Sequence, residues 1–246
     1  MSEESDELVK KNVSHSVEFL VTLMEKKLKS MEEASTTDFH PDEAKKMLLR
    51  KAHDGLMQWM SNTEERHLIE DGLDLVFKEA NRIPNGKHIL EEFRATSIHI
   101  QADIDNEKAL TYDSFQNWMG ITEDSMQGMY TIGISLYETR RLDDAQAIFS
   151  LLTYLNYHFF EPWLMLGLCA LQKDQPMQSI HAFSMATLIN LRHPAPHLYS
   201  AEVYWKEGRS DLANKILDWA LPIIDKDALS GYQDLMADLN KKLVRG

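Results

Sequence analysis

One cysteine, Cys169, is all that 246 residues contain. A lone thiol excludes an intramolecular disulfide framework and fits a reducing compartment. Proline and glycine are scarce, at 7 and 10 residues. Long stretches therefore run without a helix breaker, and alternating β-branched segments are missing as well. Basic charge is short: 26 Lys and Arg stand against 39 Asp and Glu, for a formal net charge of −13. A phosphate backbone or an anionic bilayer needs a basic face, so nucleic acid and membrane surface are poor partners for this chain. Long apolar runs are lacking too. Phe19 to Met24 is broken by Thr22, and the longer stretch from Trp163 to Leu171 contains Gly167; both fall far below the roughly 18 residues of a membrane span. The opening Met1-Ser2-Glu3-Glu4-Ser5-Asp6-Glu7 is acidic where a signal peptide would be basic and then apolar. A soluble cytoplasmic protein without stable membrane insertion is expected.

Signatures of chemistry are missing in the same way. The chain has no Gly-rich phosphate loop, no Gly-x-Ser-x-Gly, no paired cysteines and no His-Glu-x-x-His among its ten histidines. His193 and His197 are four apart, but Pro194 and Pro196 between them are expected to prevent a helix that would align both rings. His67, after Glu64-Glu65, reads as part of a solvated face. Cys169 stands beside Gly167 on a packed helix and reads as a small buried hydrophobe. Asn12-Val13-Ser14 fits a glycosylation pattern but falls inside a predicted helix. No catalysis, metal or cofactor is expected.

What the chain does have is helical periodicity throughout, which makes it all-α. In residues 1–120, apolar Val13, Val17, Leu20, Met24, Leu28 and Met31 mark a helix over about 6–33 with a heptad-like stripe. That stripe fits a dimer seam or an intramolecular core equally. A second helix opens at Pro41, with Asp42 and Glu43 in its first turn, and ends near Trp59-Met60. Ser61 and Glu64 at capping-box spacing start a third that runs to about Asn81. Pro84-Asn85-Gly86 is a turn, followed by a helix over about 87–104 and a short one around 112–118. This N-terminal helical region is the more charged half, with 24 acidic and 15 basic side chains against 15 and 11 in residues 121–246.

Residues 121–226 repeat themselves. Gly133, Gly167 and Ala201 are spaced 34 apart, as are Ala145, Ser179 and Ala213. The same spacing links Phe149, Phe183 and Leu217, then Leu152, Ala186 and Ala220. A period of 34 with small residues at these points is the mark of tetratricopeptide repeats, helix pairs whose backbones cross closely. Turns inside the pairs fall at Thr139-Arg140-Arg141, Lys173-Asp174-Gln175 and Glu207-Gly208-Arg209. Residues 227–246 form a C-terminal capping helix, with Leu229, Tyr232, Leu235, Leu239 and Leu243 at helical spacing. The predicted architecture is an α-solenoid of three repeats with a cap, preceded by the N-terminal helices.

The first helix of each pair lines the inner face of such a stack. Its positions here are Tyr130, Ile134 and Tyr137, then Leu164, Leu168 and Leu171, then Leu198, Glu202 and Trp205. All but Glu202 are apolar or aromatic, so the face suits an extended apolar segment and cannot clamp a carboxylate as Lys and Asn would. Each well-buried leucine-sized anchor contributes about 1.5–3 kcal/mol. Three anchors, less the cost of ordering a peptide, give roughly micromolar affinity.

Local sequence narrows the setting. Ile121-Thr122-Glu123-Asp124-Ser125-Met126, Leu142-Asp143-Asp144-Ala145 with Ile148-Phe149, and Leu166-Gly167-Leu168-Cys169 carry a resemblance, as do Ile180-His181-Ala182-Phe183 and Ala201-Glu202-Val203-Tyr204. Over about residues 121–240 the chain resembles the class II chaperones of bacterial type III secretion, which hold hydrophobic translocator proteins. The resemblance implies a virulence-associated chaperone in the bacterial cytoplasm, a hydrophobic secreted protein as partner, and often a homodimer. It also implies that Tyr130, Tyr137, Leu164 and Leu168 hold a proline-and-leucine-containing segment. The chain departs from the family in its 120 residues before the first repeat, where members have a short helical arm. A second reading is a scaffold or regulatory subunit linking secretion components or a transcription regulator. In a third, the N-terminal helices themselves occupy the groove.

Overall fold

The structure, a computed structural model, describes residues 63–93, 95 and 114–244. The helices expected over 6–33 and 41–60, and the end of the one expected to reach Ile104, lie outside them. The chain divides into two compact units, Met1–Ser125 and Met126–Gly246.

In the first unit, α1 (Thr63–Glu79) runs into a 3-10 turn, Ala80–Arg82, and residues 86–93 form α2. Apolar residues at helical spacing meet here: Leu73, Val76, Ala80, Ile89 and Phe93 are buried, and the Phe77 and Phe93 ring centroids lie 6.2 Å apart. The predicted Pro84-Asn85-Gly86 turn requires its glycine for space. A Cβ on Gly86 would fall 1.7 Å from the Ala80 carbonyl oxygen. The short α3 (Phe115–Met119) is capped by Ser114, whose Oγ accepts from the Asn117 N–H, and stopped by Gly120 at φ 67°.

The second unit holds the repeats. Its helix pairs are α4 (Glu123–Glu138) with α5 (Leu142–Leu155), α6 (Phe160–Gln172) with α7 (Pro176–Ile189), and α8 (Pro194–Lys206) with α9 (Ser210–Ala220). The small residues stand where the helices of a pair touch. A Cβ on Gly133 would lie 2.6 Å from Phe149 Cε1, and one on Gly167 would lie 2.2 Å from Phe183 Cε1. In the third pair the phenylalanine becomes Leu217, and Ala201 packs in one cluster with it. Ser179, fully buried at the matching point on α7, donates its hydroxyl to the Gly167 carbonyl at 3.0 Å.

Each pair turns through a left-handed residue, Arg140 (φ 63°), Asp174 (φ 55°) and Gly208 (φ 73°), again 34 apart. The N–H after it reaches back to close the helix: Arg141 to the Leu136 carbonyl, Gln175 to Ala170, and Arg209 to Tyr204, at 2.8–2.9 Å. The C-terminal cap is not one helix but α10 (Lys226–Leu229), a 3-10 turn (Ser230–Tyr232) and α11 (Gln233–Val244). Asp225 opens it, its carboxylate accepting from the Asp227 and Ala228 N–H groups. Leu239 and Leu243 are buried against α8 and α9, and Leu229, Tyr232 and Leu235 pack around them.

Candidate functional site

The repeat geometry puts Tyr130, Ile134 and Tyr137 on α4, Leu164, Leu168 and Leu171 on α6, and Leu198, Glu202 and Trp205 on α8. Eight of these nine side chains are half-buried. Leu198 is only 1% exposed, locked into the cluster of Ala201, Ala213, Leu217, Leu239 and Leu243. Trp205 packs on the same cluster with Lys242 Nζ 4.4 Å above its ring, and Glu202 pairs with Lys206 at 3.2 Å. The cap thus covers Leu198 and engages Trp205 at the third-repeat end. The six positions on α4 and α6 keep their half-exposed apolar surface. Gln172 joins these two helices: its amide donates to the Tyr137 hydroxyl and accepts from Arg140 Nη1 at 2.6 Å.

Aromatic residues outside the nine positions form ring contacts beside them. The Tyr130 ring sits 5.7 Å from Phe149 and 5.9 Å from Phe159. The next residue, Phe160, lies 4.7 Å from His193, which meets Tyr232 of the cap edge-on at 5.9 Å. Tyr199 stacks on Phe183 at 5.6 Å. Phe159, His193, Tyr199 and Tyr232 were not among the groove positions read from sequence. Three belong to repeat handovers or the cap, where the period carries no inner-face position, and Tyr199 is one residue beyond such a position.

The phenols resist ionisation. Burial, then the Glu161 carboxylate and Tyr232, push Tyr130 up to about 12. Tyr199 is raised by burial first, then by Tyr232, Glu202 and Tyr137. Burial raises Tyr137 as well, against the lowering effects of Arg140 and the Gln172 hydrogen bond. Cys169, fully buried on α6, is pushed up to about 12 by the same desolvation. A thiol held neutral in this way packs as an apolar side chain and is a poor nucleophile.

Prolines 194 and 196 do not prevent a helix at the histidine pair; they begin one. Pro194 is the first residue of α8, where a missing N–H goes unused, and His197 lies inside the helix. His193 caps it, its Nδ1 accepting from the Ala195 N–H at 3.3 Å. His197 Nε2 donates to the Leu191 carbonyl at 2.8 Å. The same tie occurs one repeat earlier, where Trp163 Nε1 donates to the Tyr157 carbonyl at 2.9 Å. Among the described residues no group of three His, Cys, Asp or Glu could hold a metal ion, and no helix is long and apolar enough to cross a membrane.

No family model matches the chain. It is 24% identical over 88 residues, 36% of its length, to the low calcium response locus protein H of Yersinia pestis. The chain spans about half the length of the curated relatives it matches, 52% in this case. Among solved structures, the type III secretion translocator chaperone SycD of Yersinia enterocolitica is similar with a TM-score of 0.50 at 20% identity. That match covers 55% of this chain and 99% of SycD. A T3SS complex from Aeromonas hydrophila is similar with a TM-score of 0.50 at 19% identity, covering 59% of this chain and 95% of that one. The likeness establishes the fold: an all-α arrangement shared with a translocator chaperone.

Proposed function

We propose that this chain is a type III secretion chaperone that holds an extended apolar segment of a hydrophobic, translocator-like export substrate. The substrate is thereby kept soluble and competent for secretion in the bacterial cytoplasm. The observation that carries this reading is the row of half-buried apolar side chains on α4 and α6: Tyr130, Ile134, Tyr137, Leu164, Leu168 and Leu171. Apolar surface of that extent is stabilised by a partner that covers it. The solved structure with the same fold and 99% coverage is a translocator chaperone. Residues 121–226 are the binding module and 227–246 its cap, with residues 1–120 a separate region. The working group is a surface and not a reacting atom, so the role is binding without turnover.

The test is co-expression of the full-length chain with the hydrophobic secreted proteins of its own secretion system. Tyr130→Ala with Leu168→Ala is expected to lose the complex while the circular dichroism spectrum keeps its helical form. An intact complex in a folded double variant would sink the groove reading. A scaffold or regulatory role has its own support, because SycD is covered almost completely by just 55% of this chain. Partners that the double variant retains would belong to that second role.

A further inference from the structure

The apolar row explains what could hold leucine-like side chains, but an extended peptide also carries main-chain groups. Each buried N–H or C=O without a partner is costly, and leucine and isoleucine offer none. Three phenol hydroxyls stand where they could supply one. Tyr130 is fixed by Phe149 and Phe159, Tyr199 by its stack on Phe183, and Tyr232 by His193, which itself rests 4.7 Å from Phe160. All three side chains are half-buried. Their rings are held by neighbours, yet among the described residues none of the three hydroxyls makes a hydrogen bond. Tyr137 differs, since its oxygen already accepts from Gln172.

Ring contacts link two of them: Tyr130 lies 5.9 Å from Phe159, the next residue Phe160 lies 4.7 Å from His193, and His193 meets Tyr232 at 5.9 Å. Tyr232 is close enough to act electrostatically on both Tyr130 and Tyr199, although they come from the first repeat, the third repeat and the cap. Burial keeps the Tyr130 and Tyr199 phenols protonated well above neutral pH, so each offers one donor and an acceptor oxygen. A mostly apolar face with a few unpartnered polar groups is the usual composition of a binding site.

We propose that the hydroxyls of Tyr130, Tyr199 and Tyr232 hydrogen-bond the main chain of the extended apolar ligand, which makes the C-terminal cap a working wall of the groove. This inference rests on the groove reading above. It adds a wall from outside the repeats and a chemistry, main-chain recognition, that tolerates variation in ligand sequence.

The experiment begins with a random dodecapeptide phage library selected on the full-length wild-type chain. The tightest clone is made as a labelled peptide, together with single backbone-ester analogues that each remove one N–H and weaken the carbonyl acceptor of the same linkage. Fluorescence polarisation then measures binding to wild type and to Tyr130→Phe, Tyr199→Phe and Tyr232→Phe, which keep the rings and remove only the hydroxyls. Each variant is expected to bind about two- to ten-fold more weakly, with an unchanged melting temperature. Each should also become indifferent to the ester position whose partner it has lost. If Tyr199→Phe and Tyr232→Phe bind like wild type, or lose affinity equally for every ester, the main-chain assignment is overturned. If the selected peptides bind Tyr130→Ala with Leu168→Ala as well as they bind wild type, or none is selected, the groove reading itself falls.

Discussion

Gly167 and Phe183 cannot be changed independently. A methyl group on Gly167 would sit 2.2 Å from the Phe183 ring, which is itself fully buried. Gly167→Ala is therefore expected to lower stability by about 1–3 kcal/mol through overpacking, read as a shift in the urea midpoint. Phe183→Leu on the same background should recover part of the loss, because Ala201 with Leu217 is the pairing the third repeat already uses. Asp174 is the opposite case. It is exposed and holds φ 55°, where glycine is unstrained, so Asp174→Gly is expected to stabilise by about 0.5–1 kcal/mol in the same assay. Tyr130 sets a pH limit. Its phenol ionises at about 12 in the folded chain and near 10 when unfolded. Stability should hold below pH 10 and fall as pH rises towards 12, since the unfolded chain releases a proton that the folded one retains. Denaturation at pH 9 and pH 11.5 measures the difference, and Tyr130→Phe should reduce it. The small residues and the turn positions were legible in the sequence because a period of 34 repeats the same steric demand three times. Tyr199 and Tyr232 were not, because their use depends on what the cap brings near them.

At the scale of elements, the helix ends obey local rules and the contacts between elements do not. The three turns close with the same pair of main-chain bonds whether the left-handed residue is Arg140, Asp174 or Gly208. Pattern alone could therefore place α4 to α9. It misjudged the start of α8, where Pro194 and Pro196 open a helix that their spacing was expected to prevent. It also gave Leu198 the same standing as Tyr130 and Leu164, although one is sealed at 1% exposure and the others are half-buried. The reason is that each internal repeat meets another repeat, whereas the third meets α11, a segment outside the period. Leu198→Ala is accordingly expected to cost about 2–5 kcal/mol of stability as a core truncation. Leu168→Ala should cost less, and its main effect should be on ligand affinity. Thermal melts alongside binding curves would separate the two.

For the whole molecule, the net charge of −13 and the apolar face suggest how salt should act. A contact carried by leucine-like anchors and neutral phenols has little counterion release, so affinity for an apolar peptide should change little between low and moderate ionic strength. A steep loss with salt, measured by fluorescence polarisation, would mean that charged groups carry the binding instead. The ties at the two repeat handovers have a wider consequence. Trp163 and His197 each grip a main-chain carbonyl, of Tyr157 and of Leu191, and not the side chain attached to it. Both of those side chains point into solvent, at 48% and 47% exposure. The joints are thus indifferent to the identity of the residues they fasten, and the linkers are free to drift in sequence while the spacing of the helices is inherited intact.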